Sequence, residues 1–189
     1  MIKIGILGDI GSGKSYVARN FGYPVFDADY EVSIIYKENR TVFKKLKKVF
    51  PKYINSFPIK KAELTKLILV DRNSLKKIIK IVHPEVRKRM KIFEKKNKEQ
   101  RIIVMDIPLL LENKINKKKD ILVFVQSQKS EVLKRLKKRS NFNKKLLNKF
   151  KLLQLPLDYK KKKSHFIIKN DFSKKTVQKG IKNILNKLN

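Results

Sequence analysis

Apolar residues follow two patterns along this chain. Short runs that are apolar on both faces occur at Met1–Leu7, Val25–Phe26, Ile102–Met105, Ile121–Val125 and Phe166–Ile168. Such runs are what a parallel sheet covered on both sides requires, so they predict five buried strands. Elsewhere apolar residues recur at three- and four-residue spacing, the signature of helices with one buried face. The first helix is predicted over Tyr16–Phe21, with Val17, Ala18 and Phe21 inward and Gly22 and Pro24 as its stop. Tyr30–Asn97 is helical in period throughout, through Val42, Leu46 and Phe50, then Leu64, Leu67 and Ile68, then Leu75, Ile78 and Val82. Pro51 and Pro58 bracket a loop, and His83-Pro84 interrupts the last of these faces before Val86, Met90 and Phe93 continue it. Val132, Leu133 and Leu136 form another face behind a Ser130 cap, and Val177, Ile181, Ile184 and Leu188 mark a C-terminal helix. Asn141–Lys163 reads as one helix, a break at Pro156 and the basic run Lys160–Lys163, which suits a mobile lid. The pattern predicts an α/β fold: a five-stranded parallel sheet flanked by helices, with a helical insertion between the second and third strands.

The first strand leads into Gly8-Asp9-Ile10-Gly11-Ser12-Gly13-Lys14-Ser15. This is the G-x-x-x-x-G-K-[ST] pattern in its required context, a strand before it and a helix after. Glycines let the backbone turn tightly, so that successive N–H groups point inward and cradle phosphate oxygens. The helix start adds partial positive charge. Lys14 is placed to reach the β- and γ-phosphates of a nucleotide, and Ser15 to put its hydroxyl on Mg²⁺.

Further chemistry gathers where strands end, which is where ligands collect in open parallel sheets. Asp27 and Asp29 follow the second strand, and alternation puts them on one side if the chain stays extended. Each is either a helix cap or a group that accepts an acceptor hydroxyl's proton or meets the metal shell. Asp106 ends the third strand, either as a cap or near Mg²⁺ and acceptor. His83 is either an acceptor-site group or a structural residue at a helix end. Arg135 and Arg139 lie four apart, so on one helix they face the same way, either as two forks for an anion between them or as part of a solvated helix face.

Composition narrows the classes. The chain has 189 residues, 41% of them hydrophobic, and no cysteine, which excludes disulfides, thiolate nucleophiles and cysteine metal sites. No apolar run reaches the roughly 18 residues a membrane span needs, and the first apolar residues run straight into the glycine loop rather than forming a signal peptide. A cytoplasmic protein is expected. The formal net charge is +33, mostly lysine spread along the whole chain. Read physically it attracts polyanions; read compositionally it is a lysine excess without the clustered stripe of a nucleic-acid binder. No specific nucleic-acid partner is expected.

These segments together resemble the dephospho-coenzyme A kinase family over nearly the whole chain. The resemblance rests on Gly8–Ser15, Asp27-Ala28-Asp29, His83-Pro84 with Val86 and Arg87, Asp106-Ile107-Pro108-Leu109-Leu110 with Glu112, then Arg135, Arg139, Gln154 and the strand end Phe166–Asn170. It implies a P-loop kinase of the nucleoside-monophosphate-kinase type. The core would be residues 1–29, 101–134 and 164–189, the acceptor-binding region 30–100 and the lid 135–163. It implies transfer of the γ-phosphoryl group of ATP to the ribose 3′-hydroxyl of dephospho-coenzyme A, giving coenzyme A and ADP. Carried over by position, Asp29, Lys14 and Arg139 are catalytic, with Asp29 as base or hydroxyl-orienting group. Gly11, Ser12, Gly13, Lys14, Ser15 and Tyr16 bind ATP; Asp29, His83, Arg87, Asp106 and Glu112 bind the acceptor; Ser15 and Asp106 hold Mg²⁺. The chain departs from the family at Asp9 and Tyr16, at Lys161 and Lys163 in place of lid arginines, and in lacking a glycine shortly after Asn170. The alternatives are another small-molecule or nucleoside monophosphate kinase of the same fold, which would differ only in its acceptor, and a basic nucleic-acid-binding ATPase.

Overall fold

A computed structural model describes residues 1–71, 73–140 and 142–188. The chain runs β1 (Ile2–Gly8), α1 (Lys14–Asn20), β2 (Val25–Asp27), α2 (Ala28–Glu38), α3 (Arg40–Val49), α4 (Lys61–Val70) and α5 (Ser74–Lys96). It continues through β3 (Ile102–Asp106), β4 (Ile121–Gln126), α6 (Lys129–Lys137), α7 (Lys144–Lys151), α8 (Leu157–Lys162), β5 (Phe166–Lys169) and α9 (Lys174–Lys187). Two compact units result. One comprises Met1–Asp27, Asn97–Asn143 and Phe150–Asn189; the other comprises Ala28–Lys96 with Lys144–Lys149.

The first unit holds the whole sheet, in the order β2-β3-β1-β4-β5, every neighbouring pair parallel. All five strands coincide with the apolar runs of the sequence. Ile4 and Ile6 of β1, Ile102 and Val104 of β3, Val123 and Val125 of β4 and Ile168 of β5 pack with Val17, Ala18 and Phe21 and with Val177, Ile181 and Ile184 of α9 in one buried cluster. Between its two isoleucines β1 carries Gly5, where a Cβ would stand 2.5 Å from Leu110 and 3.0 Å from Leu122, so the leucine run after β3 packs directly on the strand. Because β2 and β3 lie on one side of β1 and β4 and β5 on the other, the chain reverses its direction of winding at β1. Such a reversal opens a crevice at the carboxyl ends of the strands.

The second unit is helical. α5 packs against α2, α3 and α4, burying Ile35, Val42, Leu46, Leu67, Leu75, Ile78 and Val82. Asn39 caps α3 by accepting the Val42 N–H at 2.9 Å. Arg89 of α5 bridges Glu31 of α2 at 3.0 Å. Lys149 joins this unit by donating to the carbonyls of Ile68 and Leu69.

The structure departs from the sequence reading in several places. α5 runs unbroken through Pro84. An interior proline costs about 3 kcal/mol or more, and here the buried face before it and the Arg89–Glu31 bridge after it hold the helix together. The segment leading to Lys163 is two short helices, α7 and α8, with Pro156 as the residue before α8. Asn141, where this segment was expected to start, lies outside the described residues. α6 ends at Lys137, so Arg139 follows the helix rather than sharing a face with Arg135. Beyond the buried Leu136 the next helical positions, Arg139 and Ser140, are exposed and offer nothing to bury. Finally, the chain does not stay extended past Asp27. α2 starts at Ala28, which puts Asp29 in the first helical turn, where a carboxylate is favourable to the helix dipole.

Candidate active site

The phosphate loop leaves β1 at the centre of the sheet. Gly11 and Gly13 have φ of 82° and 89°, backbone that side chains strongly disfavour. Neither has room for one. A Cβ on Gly11 would meet Leu136 at 2.9 Å, and one on Gly13 would meet Asn170 Nδ2 at 2.4 Å. The loop is held from outside by two side chains that both donate to the Ser12 carbonyl: Ser127, following β4, at 2.9 Å and Asn170, following β5, at 2.8 Å. The Lys14 ammonium lies back along the loop, donating to Asp9 O at 2.6 Å and Gly8 O at 3.3 Å. Asp9, the departure noted in the sequence, turns its carboxylate onto its own backbone and accepts the Ile10 N–H at 2.7 Å.

Beside the loop stands Asp106, the last residue of β3, 4% exposed. It pairs in register with Asp27 at the end of β2. Burial pushes its carboxyl above the usual carboxylate range, and the Asp27 charge adds to this. A hydrogen bond from the Ser15 hydroxyl and the nearby charges of Lys14 and Arg19 act the other way. Lys14, Ser15, Asp106 and Asp27 are therefore brought together at the carboxyl ends of adjacent strands. Ser15 and Asp106 offer hard oxygen donors side by side, a set that fits Mg²⁺, which takes one or two protein oxygens and completes its shell from phosphates and water. The left-handed glycines of the loop give the tight backbone turn that a polyphosphate cradle needs.

Three of the other expected residues belong to the helical unit. Asp29 lies in the first turn of α2, while His83 and Arg87 lie one turn apart on α5. Burial, with the Arg87 charge second, lowers the His83 pKa, which keeps its ring neutral at pH 7. Arg139 follows α6 in the first unit. Glu112 is engaged within the protein: its Oε1 accepts from Leu155 N at 3.0 Å and pairs with Lys160 Nζ at 2.6 Å. Lys160 itself, the first residue of the basic run read as a mobile lid, is 1% exposed. The sequence reading passed over Ser127 and the specific work of Asn170. The available signal was position alone, a short polar side chain directly after a buried strand.

The family model for dephospho-CoA kinase (CoaE) matches residues 2–176. The dephospho-CoA kinase of Wolbachia pipientis wMel is 35% identical over 191 residues, covering 98% of this chain and 97% of that protein. Among solved structures, TT1252 from Thermus thermophilus superposes with a TM-score of 0.77 at 30% identity, over 100% of this chain and 98% of that one. The dephospho-CoA kinase from Campylobacter jejuni shares the fold, with a TM-score of 0.63 at 21% identity over 98% of this chain and 96% of its own. The family model over residues 2–176 and the identity across nearly the whole length agree, and the chain belongs to the dephospho-CoA kinase family.

Proposed function

We propose a division of labour among this chain's residues for its family's reaction, the ATP-dependent phosphorylation of dephospho-CoA at the ribose 3′-hydroxyl. The chain is a phosphotransferase: it takes the γ-phosphoryl group of ATP to an alcohol acceptor and yields CoA and ADP, the last step of CoA biosynthesis. The observation that carries the proposal is the Ser15–Asp106 hydrogen bond set against a loop of left-handed glycines. Phosphoryl transfer passes through a loose transition state, so positioning and charge neutralisation supply most of the catalysis. The backbone N–H groups of Gly11 through Tyr16 surround the phosphates of ATP. Lys14 exchanges its loop carbonyls for phosphate oxygens. Ser15 and Asp106 hold Mg²⁺, which when bound spreads the negative charge of the phosphates.

The acceptor is assigned to the helical unit. Asp29 orients the 3′-hydroxyl, and neutral His83 with Arg87 offers a donor and a cation for the acceptor's polar and anionic groups. Arg139 neutralises charge on the transferring group. Glu112, expected on the acceptor, is engaged with Lys160 within the protein. With ATP as donor and no cysteine in the chain, the cytoplasm is the expected compartment, and no specific nucleic-acid partner enters this reading.

The test is ADP release from Mg-ATP with dephospho-CoA, nucleoside monophosphates, sugars, RNA or no acceptor, with the product identified by mass. Turnover confined to dephospho-CoA, yielding CoA, is the expected result. Turnover with another acceptor would move the chain's substrate, and stimulation by RNA alone would overturn the reading. An Asp29→Ala variant with near-normal turnover would remove Asp29 from its role.

A further inference from the structure

Phe172 and Lys114 are the two non-glycine residues at positive φ among the described residues, and Phe172, at 67°, is the one near the phosphate loop. A bulky side chain in this region is strained, so something must hold it there. Its N–H donates to Asn170 Oδ1 at 2.8 Å. Asn170 is the same buried residue whose Nδ2 fixes the Ser12 carbonyl. One side-chain amide therefore anchors the loop with one end and turns the chain at Phe172 with the other.

The turn gives the Phe172 ring two neighbours. On one side is the loop, where Phe172 Cε1 lies 3.6 Å from the position a Cβ would take on Gly13. On the other is Arg135, whose guanidinium carbon stands 4.3 Å from the ring centroid. Arg135 is exposed on α6, among Lys134, Lys137 and Lys138. A long cation in such a setting samples many rotamers and is pushed outward by its like-charged neighbours. Stacking on an aromatic face selects one arrangement and leaves the edge of the guanidinium, with its donors, open to a planar anionic partner.

We propose that Phe172 is a positioning residue for the donor nucleotide: its ring holds Arg135 at the rim of the phosphate loop, where the guanidinium meets the polyphosphate. The inference rests on the kinase reading above and refines it. Phe172 acts only through Arg135 and touches neither the transferring group nor the acceptor.

The experiment compares the wild type with Phe172→Leu, Phe172→Tyr, Arg135→Lys, Arg135→Ala and the Phe172→Leu/Arg135→Ala double variant. Calorimetry measures ADP affinity in Mg²⁺ buffer, steady-state assays give KM for ATP and for dephospho-CoA, and urea midpoints report folding. Phe172→Leu is expected to weaken ADP binding and raise KM for ATP about two- to five-fold, the scale of an exposed cation–π contact. KM for dephospho-CoA should stay unchanged, and Phe172→Tyr should behave as the wild type. Arg135→Lys keeps the charge and loses the flat stack, so it should match Phe172→Leu, which tests the idea even where the leucine variant folds poorly. The double variant should bind ADP no more weakly than Arg135→Ala alone. Wild-type ADP affinity in both Phe172→Leu and Arg135→Lys, full additivity in the double variant, or no rescue by tyrosine overturns the proposal. Absence of dephospho-CoA-dependent turnover in the wild type would instead overturn the kinase reading, so the two failures are told apart.

Discussion

Replacing Lys160 by methionine should destabilise the sheet-bearing unit by about 3–5 kcal/mol, the cost of leaving a buried charge without its partner. Lys160 and Glu112 are 1% and 9% exposed and 2.6 Å apart, so neither end of the pair is screened by water. Lys160 also reaches Gln154 Oε1 at 3.4 Å. Without the ammonium, Glu112 keeps one neutral donor, the Leu155 N–H, while its Oε2 is buried with no hydrogen-bond partner among the described residues. For a chain of this size each kcal/mol moves the thermal midpoint by about 2–4 °C, so the midpoint should fall by roughly 6–20 °C. Replacing both residues by apolar ones of similar volume removes both desolvation penalties and is often neutral or better. The assay is thermal and urea unfolding of the wild type, Lys160→Met, Glu112→Leu and the double variant, with exposed Lys161→Met as control. The double variant should be more stable than either single one, and the control should lie within about 0.5 kcal/mol of the wild type. A Lys160→Met midpoint indistinguishable from that of Lys161→Met, or a double variant as destabilised as the two singles added, would refute the argument.

Other predictions concern the loop and Asp106. Lys14→Ala should lower kcat/KM at least about 100-fold, the scale of removing one charge-stabilising donor, with little change in unfolding midpoint. Gly13→Ala places a Cβ 2.4 Å from Asn170 Nδ2 at a φ of 89°, so it should destabilise by roughly 1–3 kcal/mol in urea unfolding and weaken ADP binding in calorimetry. Asp106→Asn should lose most turnover yet be more stable than the wild type at pH 7. The folded carboxyl titrates above its ordinary value of 3.8, so the folded state holds this proton more tightly than the unfolded chain. The stability that group contributes is present below 3.8 and lost as pH rises through the folded pKa. The advantage of the asparagine variant over the wild type should therefore grow from about pH 4 upward, and unfolding midpoints across pH check it.

Much of this architecture was legible because buried parallel strands write themselves as unbroken apolar runs. Ile102–Asp106 is buried at every position, as a strand covered on both faces of a parallel sheet requires. The phosphate loop was legible for a different reason: its geometry is imposed by glycines and by one lysine at fixed spacing, all local in sequence. Features that depend on another part of the chain were not legible. Pro84 carries a local veto on helix, and only packing elsewhere on α5 and the Arg89–Glu31 bridge override it. The spacing of Arg135 and Arg139 implies a shared face only if the helix continues, and it stops one residue after its last buried leucine.

The run Lys160–Lys163 shows where sequence reading meets its physical limit. In a chain with a net charge of +33, each of these lysines has the same composition around it and the same prior of being solvated. Yet Lys160 is buried while Lys161, Lys162 and Lys163 are exposed. What separates them is helical phase. α8 turns its covered side toward β1, Lys160 falls on that side, and Glu112 is there to meet it. A one-residue shift of α8 would bring Lys161 or Tyr159 toward Glu112 and leave the carboxylate either repaired or stranded, with no change in composition. The same holds for Phe172, whose ring is useful only because Asn170 turns it between Gly13 and Arg135. Residue type fixes which interactions are possible at a position. Which of them is made depends on the phase and register set by the rest of the fold, so the decisive contacts of this site lie between residues far apart in the chain.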